Sequence, residues 1–380
     1  MRINHLSPSS HKPDYSHRRY GCIPALWPVC LGFEAEENAR QNWEHTLNFI
    51  GEAYRINHEL SPVWTTQNQI MLDLDTMYLR DFSTGSQGLP VLLDAPYAGH
   101  SATIVDFAPG QSLVKAFLDN GHPQVFVTDW KSATEEMKDF TIDTYLEALN
   151  LAIDELGGEV VLVGLCQGGW LSAALAARLP KKVKALVLAG APIDTQAGNG
   201  VIKKLTRDLS MSNYKALVKR GNGRLLGQFM LQAWKGMHPD QQYIEKYIDL
   251  FSHLDDPHYV KRTETFARWY EYPLDLPGAF YLQVVQQLFK ENLLARGEFI
   301  ALGKKINLKA ITVPTYLLAG KSDDITPPEQ VLAATHLIGT PPSHIAQKIV
   351  PGGHIGLFMG RKNIHEVWPE IAKWLSGMTD

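Results

Sequence analysis

Cys166, in the stretch Gly164-Leu165-Cys166-Gln167-Gly168, is the residue of this 380-residue chain whose type and setting best suit covalent chemistry. An apolar run precedes it and an alanine-rich run follows it, which predicts a strand, a sharp turn and a helix. The glycines let the backbone turn without Cβ clashes, and the first amides of the helix favour negative charge beside the thiol. The turn therefore predicts a nucleophile at a place where serine is more usual, and a merely buried cysteine is the alternative.

A thiolate nucleophile needs a base and a group that orients the base. His354 follows a short apolar run and two glycines near the C-terminal end, and Asp323 and Asp324 come directly after another apolar run. Where the nucleophile lies in a sharp turn between a strand and a helix, the expected order along the chain is nucleophile, acid, histidine. We therefore predict Cys166, Asp323 and His354 as a catalytic triad. Asp324 remains the alternative acid, because the predicted strand could end one residue later.

Attack on an acyl group creates negative charge on the carbonyl oxygen, and backbone N–H groups can stabilise that charge. We expect one donor from Gln167 and one from the loop that carries Tyr97 and Ala98. The candidate substrate contacts are His100, Trp170 and Trp269.

Short apolar runs alternate with amphipathic segments from residue 70 onward. Helical spacing predicts a helix after Thr141, which is a plausible N-cap, and further helices near Pro328–Ile338 and Asn363–Trp374. The predicted strands are Met71–Phe82, Leu89–Pro96, Gln124–Trp130 and the runs EVVLVGLC, VKALVLAGAP, VPTYLLAG and QKIV. This alternation predicts an α/β protein with a mostly parallel sheet and helices on both faces.

The rhythm breaks between about Asp194 and Leu308, where helical patterns occur without a convincing strand. We expect a helical insertion that forms a lid and precedes the strand carrying the acid. The predicted organisation is an N-terminal arm and helical segment (1–69), a core (70–194 and 309–380) and the insertion (195–308).

Composition excludes several classes. A net charge of −4 offers no basic surface for nucleic acid, and no apolar run is long enough for a membrane-spanning helix. Three cysteines make no disulfide framework, and Cys22 and Cys30 are expected to be inert packing residues. No histidine pair has metal-ligand spacing and no glycine-rich stretch suits a nucleotide, so neither a metal nor a cofactor is expected.

Around Cys22 and Cys30, prolines interrupt the apolar stretch, which favours a packed arm or a contact with an insoluble substrate over a signal peptide.

From about residue 88 to the C-terminus the chain resembles the polyhydroxyalkanoate synthases and intracellular polyhydroxyalkanoate depolymerases, which place a cysteine in the nucleophile turn of an α/β-hydrolase fold. The segments APYAGHSAT, GAPIDT, AFYLQVVQQLFKENLLARG, GKSDDI and GHIGLFMGRKNIHEVWP are closer to the depolymerases. LCQGG, LFSHLDDPHYVKRTETFARW and PGGHI are closer to the synthases, although synthases usually carry Asp-His where this chain has Asp323-Asp324. The resemblance implies Cys166 as nucleophile, Asp323 as acid and His354 as base.

The resemblance also implies a substrate and a location. We expect a cysteine-dependent hydrolase of poly- or oligo-(R)-3-hydroxyalkanoate, cytoplasmic and associated with polymer granules. The alternatives are a synthase that uses 3-hydroxyacyl-CoA, a small-molecule hydrolase of the dienelactone type, and a granule-binding protein without catalysis. The sequence leaves the oligomeric state open, with a homo-oligomer among the alternatives.

Overall fold

A computed structural model describes residues 47–54, 61–237 and 246–379. Its centre is an eight-stranded sheet whose strands we number in chain order. They are β1 (Gln69–Asp73), β2 (Met77–Asp81), β3 (Val91–Asp94), β4 (Val125–Trp130), β5 (Val160–Leu165), β6 (Val183–Ala189), β7 (Thr315–Gly320) and β8 (Ile345–Val350). The spatial order is β1-β2-β4-β3-β5-β6-β7-β8. Strands β3 to β8 are parallel, whereas β1 and β2 pair antiparallel with their neighbours.

The core lies on both faces of this sheet. Strand β5 is buried along its whole length, as is typical of a strand covered by helices on both sides. Its alternate residues enter different apolar clusters: Leu162 belongs to one cluster, and Val161 and Val163 belong to the other. The central strands therefore hold their carboxyl ends, where the predicted site residues follow, in a rigid row.

The predicted strand Met71–Phe82 is wrong as a single element. The structure has a hairpin there, with β1 and β2 joined by a turn in which the Leu74 N–H donates to the carbonyl of Met77 at 2.9 Å. The alternating pattern continues through the turn residues, so periodicity alone could not show the reversal.

Helices pack on the sheet and make up most of the region 195–308, and residues 47–54 are helical as well. In the described residues from 61 onward, the α-helices are α1 (Leu113–Leu118), α2 (Ile142–Glu155), α3 (Gln167–Arg178), α4 (Val201–Asp208), α5 (Met211–Arg220), α6 (Gly227–Met237), α7 (Lys246–Ser252), α8 (Pro257–Tyr270), α9 (Gly278–Gln283), α10 (Pro328–Leu332), α11 (Ala334–Leu337), α12 (Gly356–Met359) and α13 (Trp368–Thr379). Among the described residues, Val284–Lys290 and Asn363–Val367 are π-helical, and 3₁₀ turns occur at Ala102–Val105, Pro180–Lys182, Leu308–Ala310 and Pro342–His344.

The predicted helix after Thr141 is confirmed as α2. The N–H of Thr141 donates to the hydroxyl of Thr144 at 3.1 Å, which closes the first turn. The helix predicted near Pro328–Ile338 is instead two short helices, α10 and α11. The helix predicted from Asn363 begins with a π-helical segment before α13.

The region 195–308 is largely helical, as the sequence indicates. Short strands also occur in or near it: Arg224–Leu225 pairs with Leu276–Pro277, and Ile300–Ala301 pairs with Lys304–Lys305. A further small pair, Asp106–Ala108 with Gln111–Ser112, lies in the core region. We keep residues 195–308 as a proposed lid and call this range the insertion.

Most of the N-terminal arm, including Cys22 and Cys30, lies outside the described residues. The predictions of a packed arm, a substrate contact or a signal peptide concern that part of the chain. In the described residues, no helix combines the length and apolar character needed to cross a membrane.

Candidate active site

Cys166 lies between the end of β5 and the start of α3, with φ 52° and ψ −115°. A non-glycine residue with positive φ is strained, and such strain is concentrated at functional sites. The neighbouring glycines are needed for space. A Cβ on Gly168 would lie 2.1 Å from the carbonyl oxygen of Asp94, and a Cβ on Gly164 would lie 2.6 Å from the Cα of Gly169. Cys166 therefore lies at a sharp turn whose neighbouring backbone segments are in close contact.

Asp323 and His354 meet at the carboxyl ends of the strands. Nδ1 of His354 donates to Oδ2 of Asp323 at 2.7 Å. The other oxygen, Oδ1, accepts the backbone N–H groups of Ile325 at 3.0 Å and Thr326 at 2.8 Å. Both side chains are almost fully buried. The carboxylate is thus fixed by its own loop and in turn fixes the orientation and tautomer of the imidazole.

Asp324 has a different environment. It lines the cavity described below, and its backbone carbonyl accepts the N–H of Val201 at 2.8 Å. The carboxylate that bonds to His354 belongs to Asp323, so the geometry favours Asp323 over Asp324 as the orienting acid.

The electrostatics of His354 suit a partner for a thiolate. Burial alone would lower the pKa of His354, but the charges of Cys166 and Asp323 outweigh burial and raise that pKa to about 10. Nε2 of His354 is buried and has no hydrogen-bond partner among the described residues. The ring therefore presents an uncommitted nitrogen, and Cys166 and His354 line the same cavity.

The predicted oxyanion donors divide into two cases. Gln167 begins α3, so its N–H has no acceptor within the helix, and both Gln167 and Ala98 line the cavity. The side chain of Tyr97 points into the core, where it stacks on Tyr145 at 4.9 Å and donates to the carbonyl of Lys131 at 3.0 Å. We retain Gln167 and Ala98 as the proposed donors.

The cavity has a volume of about 470 Å³, within the range of small-molecule sites. The helices α4, α5, α6, α8 and α9 contribute apolar and aromatic side chains to it. Among these are Ile202, Leu205, Tyr214, Leu217, Phe229, Met230, Trp234, Met237, Phe266, Trp269, Tyr270 and Tyr281. The insertion thus supplies one side of the cavity and the nucleophile turn supplies another.

Of the predicted substrate contacts, His100 and Trp269 line the cavity, and Trp170 does not. Trp170 is fully buried, and its Nε1–H donates to the side-chain oxygen of Gln167. Its ring packs against Phe299. The prediction for Trp170 is therefore corrected: the phase of α3 directs this side chain into the core, where it orients Gln167.

A buried polar cluster under the turn was not anticipated from the sequence. Asp94, at the end of β3, accepts the hydroxyl of Ser172 at 2.9 Å and that of Thr128 at 3.3 Å. Thr128 also accepts the backbone N–H of Ala95 at 3.0 Å. Asp94 thus connects the helix that follows Cys166 to the loop that carries Ala98. The available signal was a carboxylate at the end of an otherwise apolar strand.

The described residues contain no group of three or more His, Cys, Asp or Glu side chains arranged to hold a metal ion.

Comparison with known proteins gives relatives along most of the chain. It is 25% identical over 370 residues to the poly(3-hydroxyalkanoate) polymerase subunit PhaC of Haloferax mediterranei, covering 92% of this chain and 72% of that protein. It is also 25% identical over 347 residues to the subunit of the same name from Allochromatium vinosum, covering 88% and 93%.

Among solved structures, the monoacylglycerol lipase of Paleococcus ferrophilus matches with a TM-score of 0.52 and 16% identity, over 80% of this chain and 99% of that one. The expected α/β-hydrolase fold is confirmed, and the chain is related to the polyhydroxyalkanoate enzymes. Residues 71–346 match the family described as "Protein of unknown function (DUF3141)", and because this match spans more than half of the sequence, the chain belongs to that family.

Proposed function

We propose that this protein is a cysteine-dependent hydrolase of poly- or oligo-(R)-3-hydroxyalkanoate esters. The observation that carries the proposal is that His354, bonded to the buried Asp323, lines one apolar cavity with the strained Cys166. A nucleophile, a base and an orienting carboxylate are the groups that acyl transfer requires.

The reaction proceeds in two acyl transfers. The Cys166 thiolate attacks the ester carbonyl carbon, a C–S bond forms, and the C–O bond breaks as His354 gives its Nε2 proton to the departing alkoxide. Water then loses a proton to Nε2 and attacks the thioester carbonyl, and the thiolate leaves with release of the acid. His354 therefore acts first as a general acid and then as a general base. The backbone N–H groups of Gln167 and Ala98 hold the carbonyl oxygen while it is negative.

The charge of the cavity supports an uncharged polyester as substrate. Its lining contains no lysine or arginine among the described residues, whereas Asp324 is one of the lining residues. A coenzyme A thioester carries several phosphate charges, which an acidic, otherwise apolar lining would repel. A chain of hydroxyalkanoate units carries no charge between its ends and suits apolar and aromatic walls. This substrate would place the protein in the cytoplasm at the surface of polymer granules.

The second candidate is a polymerase, and the observation that favours it is the name of the relatives from Haloferax mediterranei and Allochromatium vinosum. The same triad would then pass the acyl group from its thioester to the hydroxyl end of a growing chain. The two reactions share Cys166 and differ in the acyl donor, a polyester or a coenzyme A thioester, and in the acceptor, water or an alcohol.

Two incubations test the proposal. The protein is given amorphous poly(3-hydroxybutyrate) in one and 3-hydroxybutyryl-CoA in the other, with Cys166→Ala as the control. Release of 3-hydroxy acid from the polymer, absent in the variant, is the expected result. Steady CoA release with polymer accumulating would identify the polymerase instead, and neither product would overturn both.

A further inference from the structure

His100 is held in the cavity by aromatic side chains of the insertion. Its ring stacks on Trp269 with centroids 4.6 Å apart and on Tyr270 with centroids 5.2 Å apart. The indole of Trp269 is itself fixed, because its Nε1–H donates to the carbonyl of Ser101 at 2.9 Å. These contacts leave the ring little freedom, so the direction of each ring nitrogen is set by the fold.

The hydrogen bonds of His100 define its tautomer. Nε2 lies 3.1 Å from the backbone carbonyl of Tyr270. A carbonyl oxygen can only accept, so Nε2 carries the proton and donates. In the neutral ring Nδ1 is then an acceptor with a free lone pair. No hydrogen-bond partner of Nδ1 occurs among the described residues.

The charge state of His100 keeps this acceptor available. Burial lowers the pKa of His100 to about 4, although its bond to Tyr270 acts in the opposite direction. The nearby charged groups are Glu271 and Lys235, which have opposing effects on it and are paired with each other at 2.6 Å. The ring is therefore neutral near pH 7, and Nδ1 can accept a hydrogen bond from a ligand.

The same cavity holds an unused donor. Nε1 of Trp234, on α6, is buried without a hydrogen-bond partner in the described part of the chain. The buried donor of Trp234 costs free energy until a ligand completes it, and the lone pair on Nδ1 of His100 is open to a ligand that donates. A polyester offers ester carbonyls, which can only accept, and one kind of donor, the hydroxyl at its alcohol end.

We propose that His100 is a specificity residue that accepts a hydrogen bond from the terminal 3-hydroxyl of the hydroxyalkanoate chain. The proposal rests on the hydrolase or polymerase function proposed above, since both act on hydroxyl-ended chains. Trp234 serves the ester carbonyls and does not distinguish one end from another. The cavity thereby binds the free alcohol end of a chain selectively, which apolar walls alone could not do.

Binding tests this without relying on turnover. In the Cys166→Ala background, which prevents acylation, affinity is measured by calorimetry for a linear 3-hydroxybutyrate trimer and for the same trimer with its terminal hydroxyl replaced by hydrogen. Loss of one hydrogen bond to a buried acceptor should weaken the second trimer about 10-fold. Adding His100→Phe should make the two affinities equal, because phenylalanine keeps the stacking and removes the acceptor.

Two matched variants separate this contact from general effects. His122 is also buried and bonded through Nε2 to a backbone carbonyl, that of Ala372 at 2.8 Å, but it does not line the cavity. His122→Phe should therefore keep the 10-fold preference. Trp234→Phe should weaken both trimers by the same factor. Equal affinities before His100 is changed, a preference that survives His100→Phe, or no binding of either trimer would overturn the role of His100. The proposed function itself fails only if the unmodified protein releases no product.

Discussion

At the scale of single residues, the site depends on which polar atoms already make hydrogen bonds. Oδ1 of Asp323 is taken by two backbone N–H groups and Oδ2 by His354, so this carboxylate has one orientation. Nε2 of His354 has no hydrogen-bond partner by distance and angle among the described residues, and His354 and Cys166 line one cavity. The orienting acid is therefore the group whose replacement should most affect His354.

Asp323→Asn should lower kcat at least about 100-fold, because the amide favours the wrong imidazole tautomer and cannot stabilise the imidazolium. Asp324→Asn, one position further along the same loop, should stay within about threefold of the unmodified protein, since its carboxylate does not bond to His354. Steady-state kinetics on a 3-hydroxybutyrate oligoester measure both. Greater sensitivity at Asp324 would show that the acid is misassigned.

At the scale of elements, the two sides of the proposed oxyanion site are joined through Asp94. The carboxylate is fully buried between β3, β4 and α3, and its hydrogen bonds come from the hydroxyls of Ser172 and Thr128. Among the described residues, no charged side chain offsets its burial. Burial raises the pKa of Asp94 from 3.8 to about 7. Asp94 in the folded protein therefore holds its proton up to about pH 7.

This proton predicts how stability depends on pH. Between pH 3.8 and about 7 the folded protein retains a proton on Asp94 that the unfolded chain releases. The free energy of unfolding should therefore fall as pH rises through this window, by an amount on the order of 4 kcal/mol. Asp94→Asn should remove this part of the dependence. Thermal melts at several pH values measure it, and an unchanged slope in the variant would contradict the assignment. The raised pKa of His354 acts in a separate window, above pH 6.5, where its stabilisation is lost up to about pH 10.

Sequence patterns predicted the elements that are determined by residues close together in the sequence. The capped helix α2, the buried strand β5 and the glycine turn at Cys166 are each specified by neighbouring residues. The hairpin of β1 and β2, the inward direction of Trp170 and the pairing of Asp94 with Ser172 depend on partners distant in the sequence. Chain order could place an acid near His354, but only the fold of the loop, in which Asp323 bonds to His354 and to the amides of Ile325 and Thr326, distinguishes Asp323 from Asp324.

At the scale of the whole molecule, the insertion and the sheet enclose the nucleophile together. The insertion is tied to the core by Asn292, whose side-chain amide donates to Asp194 at 2.8 Å, and by the carbonyl of Thr195, which accepts the side-chain amide of Gln330 at 3.3 Å. Inside the insertion, the buried ion pair Lys235–Glu271 joins α6 to the end of α8. Access to Cys166 is therefore expected to depend on movement of these helices.

Alkylation of Cys166 by iodoacetamide should be slow in the free protein and faster when detergent or a polymer surface is added, because an apolar surface favours exposure of the apolar lining. Peptide mass spectrometry is needed to separate Cys166 from Cys22 and Cys30. Fast alkylation that is independent of any surface would show that the insertion is not a lid.

The central claim is that Cys166 carries the acyl group and that water removes it. Intact-protein mass spectrometry, sampled rapidly after mixing with a 3-hydroxybutyrate oligoester, tests this most directly. We expect a 3-hydroxyacyl adduct on Cys166 that decays to unmodified protein as free 3-hydroxy acid appears, and no adduct or product with Cys166→Ala. Product formation by Cys166→Ala, or an adduct on another residue, would contradict it.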